Sequence, residues 1–105
     1  MTYNLRVMTI PNDEVLDKME NILNIASDFT RLKILYAIKD EEKNVGEIVE
    51  QVGASQSLVS HQLSILKNAD LVSVRKVGTK VFYRLADDHV DKLLSIVHEH
   101  VLEEK

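Results

Sequence analysis

The last stretch of the chain, ADDHVDKLLSIVHEHVLEEK, holds three of the four histidines together with several aspartates and glutamates. Imidazole nitrogens and carboxylate oxygens are ligands that zinc and cobalt(II) accept. The sequence contains no cysteine, so disulfides, iron–sulfur clusters and thiolate metal sites are excluded. Any metal that this segment binds must therefore be held by nitrogen and oxygen donors.

The spacing of the histidines decides how such a site could be built. On a helix, His89 and His100 are about three turns apart, so they share a face but are separated by roughly 16 Å along the axis. Ligand bonds of about 2 Å cannot span that distance. Two antiparallel copies of the helix, related by a two-fold axis near Ser95, would bring the ends together and form two equivalent sites per dimer. The apolar seam between the copies would consist of Leu93, Ile96 and Val97.

Each of these sites would take two ligands from one subunit and two from the other. His100 and Glu103 are three residues apart and share a helix face, whereas Asp87 and His89 converge only if Asp87 is the N-cap of the helix. The sequence therefore predicts four ligands, Asp87 and His89 from one subunit with His100 and Glu103 from the other, for zinc or cobalt. His98 lies on a different face and is expected to be solvated, although whether it adds a ligand stays open. The alternative is an exposed acidic helix with incidental histidines.

The composition indicates which kind of molecule carries this helix. The chain has 105 residues, of which 45% are hydrophobic and 29% charged, as expected for one globular domain spanning residues 1–105. No segment is long and apolar enough to cross a membrane. The first ten residues are too short and too mixed for a signal peptide, so a cytoplasmic location is expected.

Caps and hydrophobic spacing predict four helices in the first two thirds of the chain. They begin near Asn12 or Asp13, at Ser27-Asp28, after Asn44 and after Ser55, and Gly53 closes the third helix. A short helix, a tight turn with glycine and a longer helix form the outline of a helix-turn-helix.

Beyond these helices the pattern changes to alternation of β-branched and aromatic residues. The segment LVSVRKVGTKVFYRL predicts a β-hairpin whose turn is Val77-Gly78-Thr79-Lys80, and a closing helix follows from about Asp88 to Leu102. The predicted fold is α+β, mainly α: a winged helix-turn-helix of about five helices and one hairpin.

The uneven distribution of charge indicates what the predicted winged helix-turn-helix binds. The formal net charge is −4, yet the segment from Ala54 to Arg84 carries +4, so the rest of the chain carries −8. Short polar side chains on the fourth helix suit base edges and phosphates in a major groove, and cations on the hairpin would reach the flanking backbone. The predicted DNA-binding residues are Ser55, Gln56, Ser57, Ser60, His61, Gln62, Ser64, Arg75, Lys76 and Lys80.

Three motifs together resemble the ArsR/SmtB family of metal-responsive winged-helix repressors, over essentially the whole chain. They are SQSLVSHQL in the fourth helix, VSVRKVGTKVFYRL in the hairpin, and Asp-x-His followed after ten residues by His-x-x-Glu at the end. The last motif resembles the zinc-sensing branch, whose site lies between paired C-terminal helices. The third helix reads GEIVEQVG, so sensing through cysteines there is disfavoured.

The resemblance implies a homodimer, paired through its N- and C-terminal helices, that binds operator DNA without metal and leaves it when zinc binds. A ligand histidine donates its second ring N–H to an acceptor, and we expect His100 to link the metal in this way to the region near His61. The alternative is a metal-independent winged-helix regulator whose last helix serves only dimerisation. The choice among zinc, cobalt and nickel stays open, and no nucleophile motif or glycine-rich phosphate loop suggests an enzyme.

Overall fold

The computed structural model describes residues 9–103, which form five α-helices and one antiparallel two-stranded sheet. This confirms the predicted winged helix-turn-helix. The elements are α1 (Asp13–Ala26), α2 (Phe29–Ala37), α3 (Val45–Val52), α4 (Gln56–Asn68), β1 (Val72–Val77), β2 (Lys80–Leu85) and α5 (Asp88–Leu102). None of the helices in the described range could span a membrane. Most of the ten residues considered for a signal peptide lie outside that range.

The helices begin at the positions that the capping residues in the sequence predicted for them. Each cap side chain accepts hydrogen bonds from backbone N–H groups in the first turn, which have no partner inside the helix. At α3 the bond is reciprocal, because the side chain of Glu47 also accepts from the N–H of Asn44 at 3.0 Å. The five caps are Asn12, Asp28, Asn44, Ser55 and Asp87.

Two helices end in the left-handed backbone conformation. Gly53 closes α3 with φ 76°, where glycine has no side chain to oppose it. Asp70 follows α4 with φ 59° and is the only such residue in the described range that is not glycine. Its N–H donates to the carbonyl of Lys67, and that of Leu71 donates to the carbonyl of Leu66, both at 3.0 Å. This pair of bonds is a Schellman motif, so Asp70 holds a position that usually belongs to glycine.

The strands form the wing, defined here as β1, β2 and the Gly78-Thr79 turn between them. Val77 pairs with Lys80 across the turn, and Val72 pairs with Leu85 at the base. Lys43, which precedes α3, holds the base of the wing through two backbone hydrogen bonds to Tyr83. The N–H of Lys43 donates to the carbonyl of Tyr83 at 3.0 Å, and the N–H of Tyr83 donates to the carbonyl of Lys43 at 2.8 Å. These two backbone hydrogen bonds join the chain before α3 to the wing.

The hydrophobic core lies beneath α4. Its most buried residues come from α2, α3 and α4, and the wing base and α5 add to its edge. Helix α1 has no fully buried residue, and it covers the core with Ile22, Ile25 and Ala26. The completely buried side chains are Ile34, Leu35, Ile38, Ile48, Val59, Leu63 and Leu66.

Candidate DNA-binding and metal-binding surfaces

Helix α4 has one apolar face in the core and one polar face in solvent. Val59, Leu63 and Leu66 recur at helical spacing and are buried. The predicted contacts on the outward face are all exposed: Gln56, Ser57, Ser60, His61 and Ser64. Because the buried face fixes the rotation of the helix, these five side chains are presented together on a rigid element.

Two further predicted DNA contacts on this segment already have structural partners. Ser55 caps α4, and its hydroxyl accepts from the N–H of Leu58 at 3.2 Å. Gln62 is half-buried, and its side-chain carbonyl accepts from Nη1 of Arg31 at 2.7 Å. The sequence did not reveal Arg31, which also donates from Nε to the carbonyl of Ile25 at 2.7 Å. Arg31 thereby ties the end of α1 to the middle of α4.

The three predicted cations of the wing differ in their surroundings. Among the residues that the structure describes, neither Lys76 nor Lys80 has an ion-pair partner, and both are exposed near the turn. Arg75 instead pairs with Glu42, a residue that the sequence did not single out. The hydrogen bond from Arg75 lowers the pKa of the Glu42 carboxyl.

At the beginning of α5, the predicted ligands Asp87 and His89 lie beside each other. Asp87 is the N-cap, and its Oδ1 accepts from the N–H groups of His89 and Val90 at 2.9 and 3.2 Å. This oxygen also lies 3.6 Å from Nδ1 of His89. The imidazole is 95% exposed, so the pair faces outward beside one helix end.

The other predicted pair lies at the opposite end of the same helix. His100 and Glu103 are exposed, and Glu103 is the C-cap, with its N–H directed to the carbonyls of Glu99 and His100. Within one protomer, no group of three metal-ligating side chains occurs among the described residues. The structure thus brings Asp87 and His89 together but does not join them to His100 and Glu103.

His98 has a contact that its expected solvated position did not suggest. Its ring meets Tyr36 edge-on, with the ring centroids 5.8 Å apart. The Tyr36 hydroxyl donates to the carbonyl of Leu94 at 2.7 Å. The middle of α5 is therefore attached to α2, which packs directly against α4.

Both terminal helices leave apolar side chains in solvent. On α5, Ile96 and Val101 are 63% and 72% exposed, and Leu93, the third residue of the predicted seam, is half-buried. On α1, three residues spaced four apart form an exposed stripe that adjoins the core-facing side. Large exposed apolar surfaces mark interaction sites. The residues are Val15, Met19 and Leu23 on α1, with Ile96, Val97, Val101 and Leu102 on α5.

Comparison with known proteins agrees with this geometry. Residues 28–74 match the family described as bacterial regulatory protein, arsR family. The chain is 37% identical, over 82% of its length, to the transcriptional repressor SmtB homolog of Synechocystis sp., and it spans 65% of that relative. It is 32% identical to the transcriptional repressor SdpR of Bacillus subtilis, with 77% of the chain and 94% of the relative covered.

A solved structure supports the same assignment. The homodimeric winged helix-turn-helix DNA-binding domain of Mb0332 from Mycobacterium bovis, described as a possible ArsR-family regulator, superposes with a TM-score of 0.79. It is 28% identical, and 90% of each chain is covered. The relatives are transcriptional regulators, which agrees with the expectation that the chain is not an enzyme. The chain belongs to the ArsR/SmtB family of winged helix-turn-helix transcriptional regulators.

Proposed function

We propose that this protein is a homodimeric transcriptional repressor that binds operator DNA through α4 and the wing. The observation that carries the proposal is the polar outward face of α4, fixed in rotation by its buried opposite face. Such a helix presents donors and acceptors to base edges in a major groove. Lys76 and Lys80 at the wing turn would contact phosphates beside the groove.

The dimer would form through the exposed apolar surfaces of α1 and α5. Two-fold symmetry brings the same residues of both copies together, so one self-complementary surface suffices. Pairing two copies of α5 in opposite directions places the beginning of one helix beside the end of the other. The two α4 helices would then enter successive major grooves roughly 34 Å apart.

Zinc, or cobalt in its place, would bind at two equivalent positions of this dimer. Asp87 and His89 of one protomer would hold it together with His100 and Glu103 of the other, a donor set of two nitrogens and two oxygens that suits these metals. The exposed Asp87–His89 pair fits this role because Oδ1 and Nδ1 already lie 3.6 Å apart. The metal would supply a bridge between the two α5 helices.

The proposed effect of the bridge is release from DNA. A ligand shifts a two-state equilibrium only through its different affinities for the two states. Holding the α5 helices in one relative position would alter the separation of the α4 helices, because Tyr36 joins α5 to α2 and α2 packs on α4. His100 would extend this link by donating its second ring N–H towards the region near His61.

The experiment is a titration of the purified dimer with its own upstream DNA, with and without zinc, at one fixed salt concentration. We expect zinc to weaken binding at least tenfold, which is about 1.4 kcal/mol of coupling. His89→Ala should remove this response, and Glu99→Ala, at another exposed position of α5, is the control that should keep it. Tight DNA binding that zinc leaves unchanged would refute the sensing function and favour a metal-independent regulator.

The His100 link has its own test. A His100 variant that still ligates metal but lacks the second ring N–H should bind zinc and yet stay on DNA. Metal binding is followed separately by the visible absorption of cobalt(II) at the same positions. Release of such a variant from DNA on zinc addition would show that the link is not used.

A further inference from the structure

Arg75 of the wing is engaged in an ion pair within the protein. Nε of Arg75 donates to both carboxylate oxygens of Glu42, at 3.1 and 3.0 Å, and its Nη2 donates to Oε1 as well. The guanidinium carbon lies 5.3 Å from the centre of the Phe82 ring, its cross-strand neighbour. Arg75 is therefore held between a carboxylate and an aromatic face, and its charge is balanced locally.

Glu42 is placed for this contact by the backbone beside it. The next residue, Lys43, pairs with Tyr83 through two hydrogen bonds of 3.0 and 2.8 Å. This pairing fixes the position of Glu42 relative to the wing. The carboxyl pKa is lowered, first by the hydrogen bond from Arg75 and further by the charges of Arg75 and Arg84. Glu42 is thus charged at neutral pH and the ion pair is intact.

Lys76 and Lys80 show the contrasting situation on the same hairpin. They lie nearer the turn than Arg75, and neither has an ion-pair partner in the part of the chain that the structure describes. A cation contributes to DNA affinity by neutralising a phosphate and releasing its bound counterions. Lys76 and Lys80 are free to do so, whereas Arg75 would first have to leave Glu42.

We propose that Glu42 withholds Arg75 from the DNA backbone and thereby sets how many wing cations neutralise phosphates. This inference rests on the proposed DNA-binding function and assigns Glu42 as a positioning residue within it. Glu42 would keep the affinity of the repressor for DNA below the value that it would have if Arg75 also neutralised a phosphate. A modest coupling energy between metal binding and DNA binding would then be enough to release the repressor.

The experiment measures the dissociation constant of the full-length dimer for its upstream DNA at several salt concentrations. Glu42→Gln should bind more tightly, and its logarithmic salt slope should steepen by about 0.9 per protomer, or about 1.8 per dimer. Glu41→Gln, the matched control, removes the same charge from the adjacent residue and should leave the slope unchanged. Glu42→Ala, which also removes the amide acceptor, should steepen the slope as Glu42→Gln does.

Arg75→Gln completes the design. In the presence of Glu42 it should not change the slope, and combined with Glu42→Gln it should restore the wild-type slope. A shallower slope for Arg75→Gln alone would overturn the inference, because Arg75 would then already contact a phosphate. Equal slopes for wild type and Glu42→Gln would overturn it as well. Failure of the wild-type protein to bind its DNA would instead refute the underlying function together with this inference.

Discussion

Replacing Asp70 with glycine should stabilise the protein, although it removes a side chain. Asp70 closes α4 with φ 59° in a Schellman motif. For residues with a β-carbon this conformation costs roughly 1–2 kcal/mol, and glycine avoids the cost. The added flexibility of glycine in the unfolded chain offsets about 0.5–1 kcal/mol of the gain.

A second contribution comes from the charge of Asp70. A carboxylate beside a helix C-terminus opposes the helix dipole, and removing it is worth about 0.3–1 kcal/mol on the surface. Asp70→Asn removes this charge but keeps a β-carbon, so it separates the two effects. We expect a gain of a few tenths of a kcal/mol for Asp70→Asn and about 1 kcal/mol for Asp70→Gly.

The assay is urea unfolding followed by circular dichroism, at one protein concentration because the stability of the proposed dimer would depend on concentration. Asp70→Gly should raise the midpoint without changing the slope, and it should raise the melting temperature by roughly 4 °C. Gly53→Ala is the reciprocal control. Its φ is 76° and a β-carbon there would meet no atom within 4 Å, so a loss of about 1 kcal/mol would report the backbone alone.

The reasoning would be refuted by a particular pair of results. Suppose that Asp70→Gly were no more stable than Asp70→Asn, while Gly53→Ala were less stable than wild type by about 1 kcal/mol, as expected. The end of α4 would then not be strained. The side chain of Asp70 would then contribute a stabilising interaction that compensates for its backbone.

Three other predictions concern single contacts. Tyr36→Phe removes the hydroxyl that donates to Leu94 and should cost about 1 kcal/mol in urea unfolding; no loss would show that water replaces the bond. Asn44→Ala removes one half of the α3 capping box and should cost about 1 kcal/mol, whereas an unchanged midpoint would mean that α3 is held by packing alone. Arg75 lowers the pKa of Glu42, so the ion pair stabilises the folded state fully above the ordinary value of 4.5 and less as the pH falls through the lowered pKa. The stability difference between wild type and Glu42→Gln should therefore be constant at neutral pH and shrink in acid, and a difference that grew in acid would contradict this sign.

Much of the fold follows from short-range patterns. The caps Asn12, Asp28, Asn44, Ser55 and Asp87 satisfy backbone groups within three residues of themselves, so their effect can be deduced locally. The wing turn and the polar face of α4 were predicted for the same reason, since a turn and a helical period each involve only neighbours along the chain. The Asp87–His89 pair belongs to this class too.

The contacts that join the elements could not be deduced in this way. The bonds from Arg31 to Gln62, from Arg75 to Glu42 and from Tyr36 to Leu94 connect residues 31, 33 and 58 positions apart. Sequence spacing carries no information about such pairs, because packing of the helices decides which side chains meet. These pairs show that Gln62 and Arg75 already have intramolecular partners.

The sequence by itself determined the order of the elements, their ends and the face that α4 presents, because hydrogen bonding and hydrophobic periodicity act over a few residues. Tertiary structure decided which polar groups remain available to a partner. The sequence alone does not say whether Arg75 is free or paired. The position of Glu42 beside the wing, which is a tertiary contact, makes it paired.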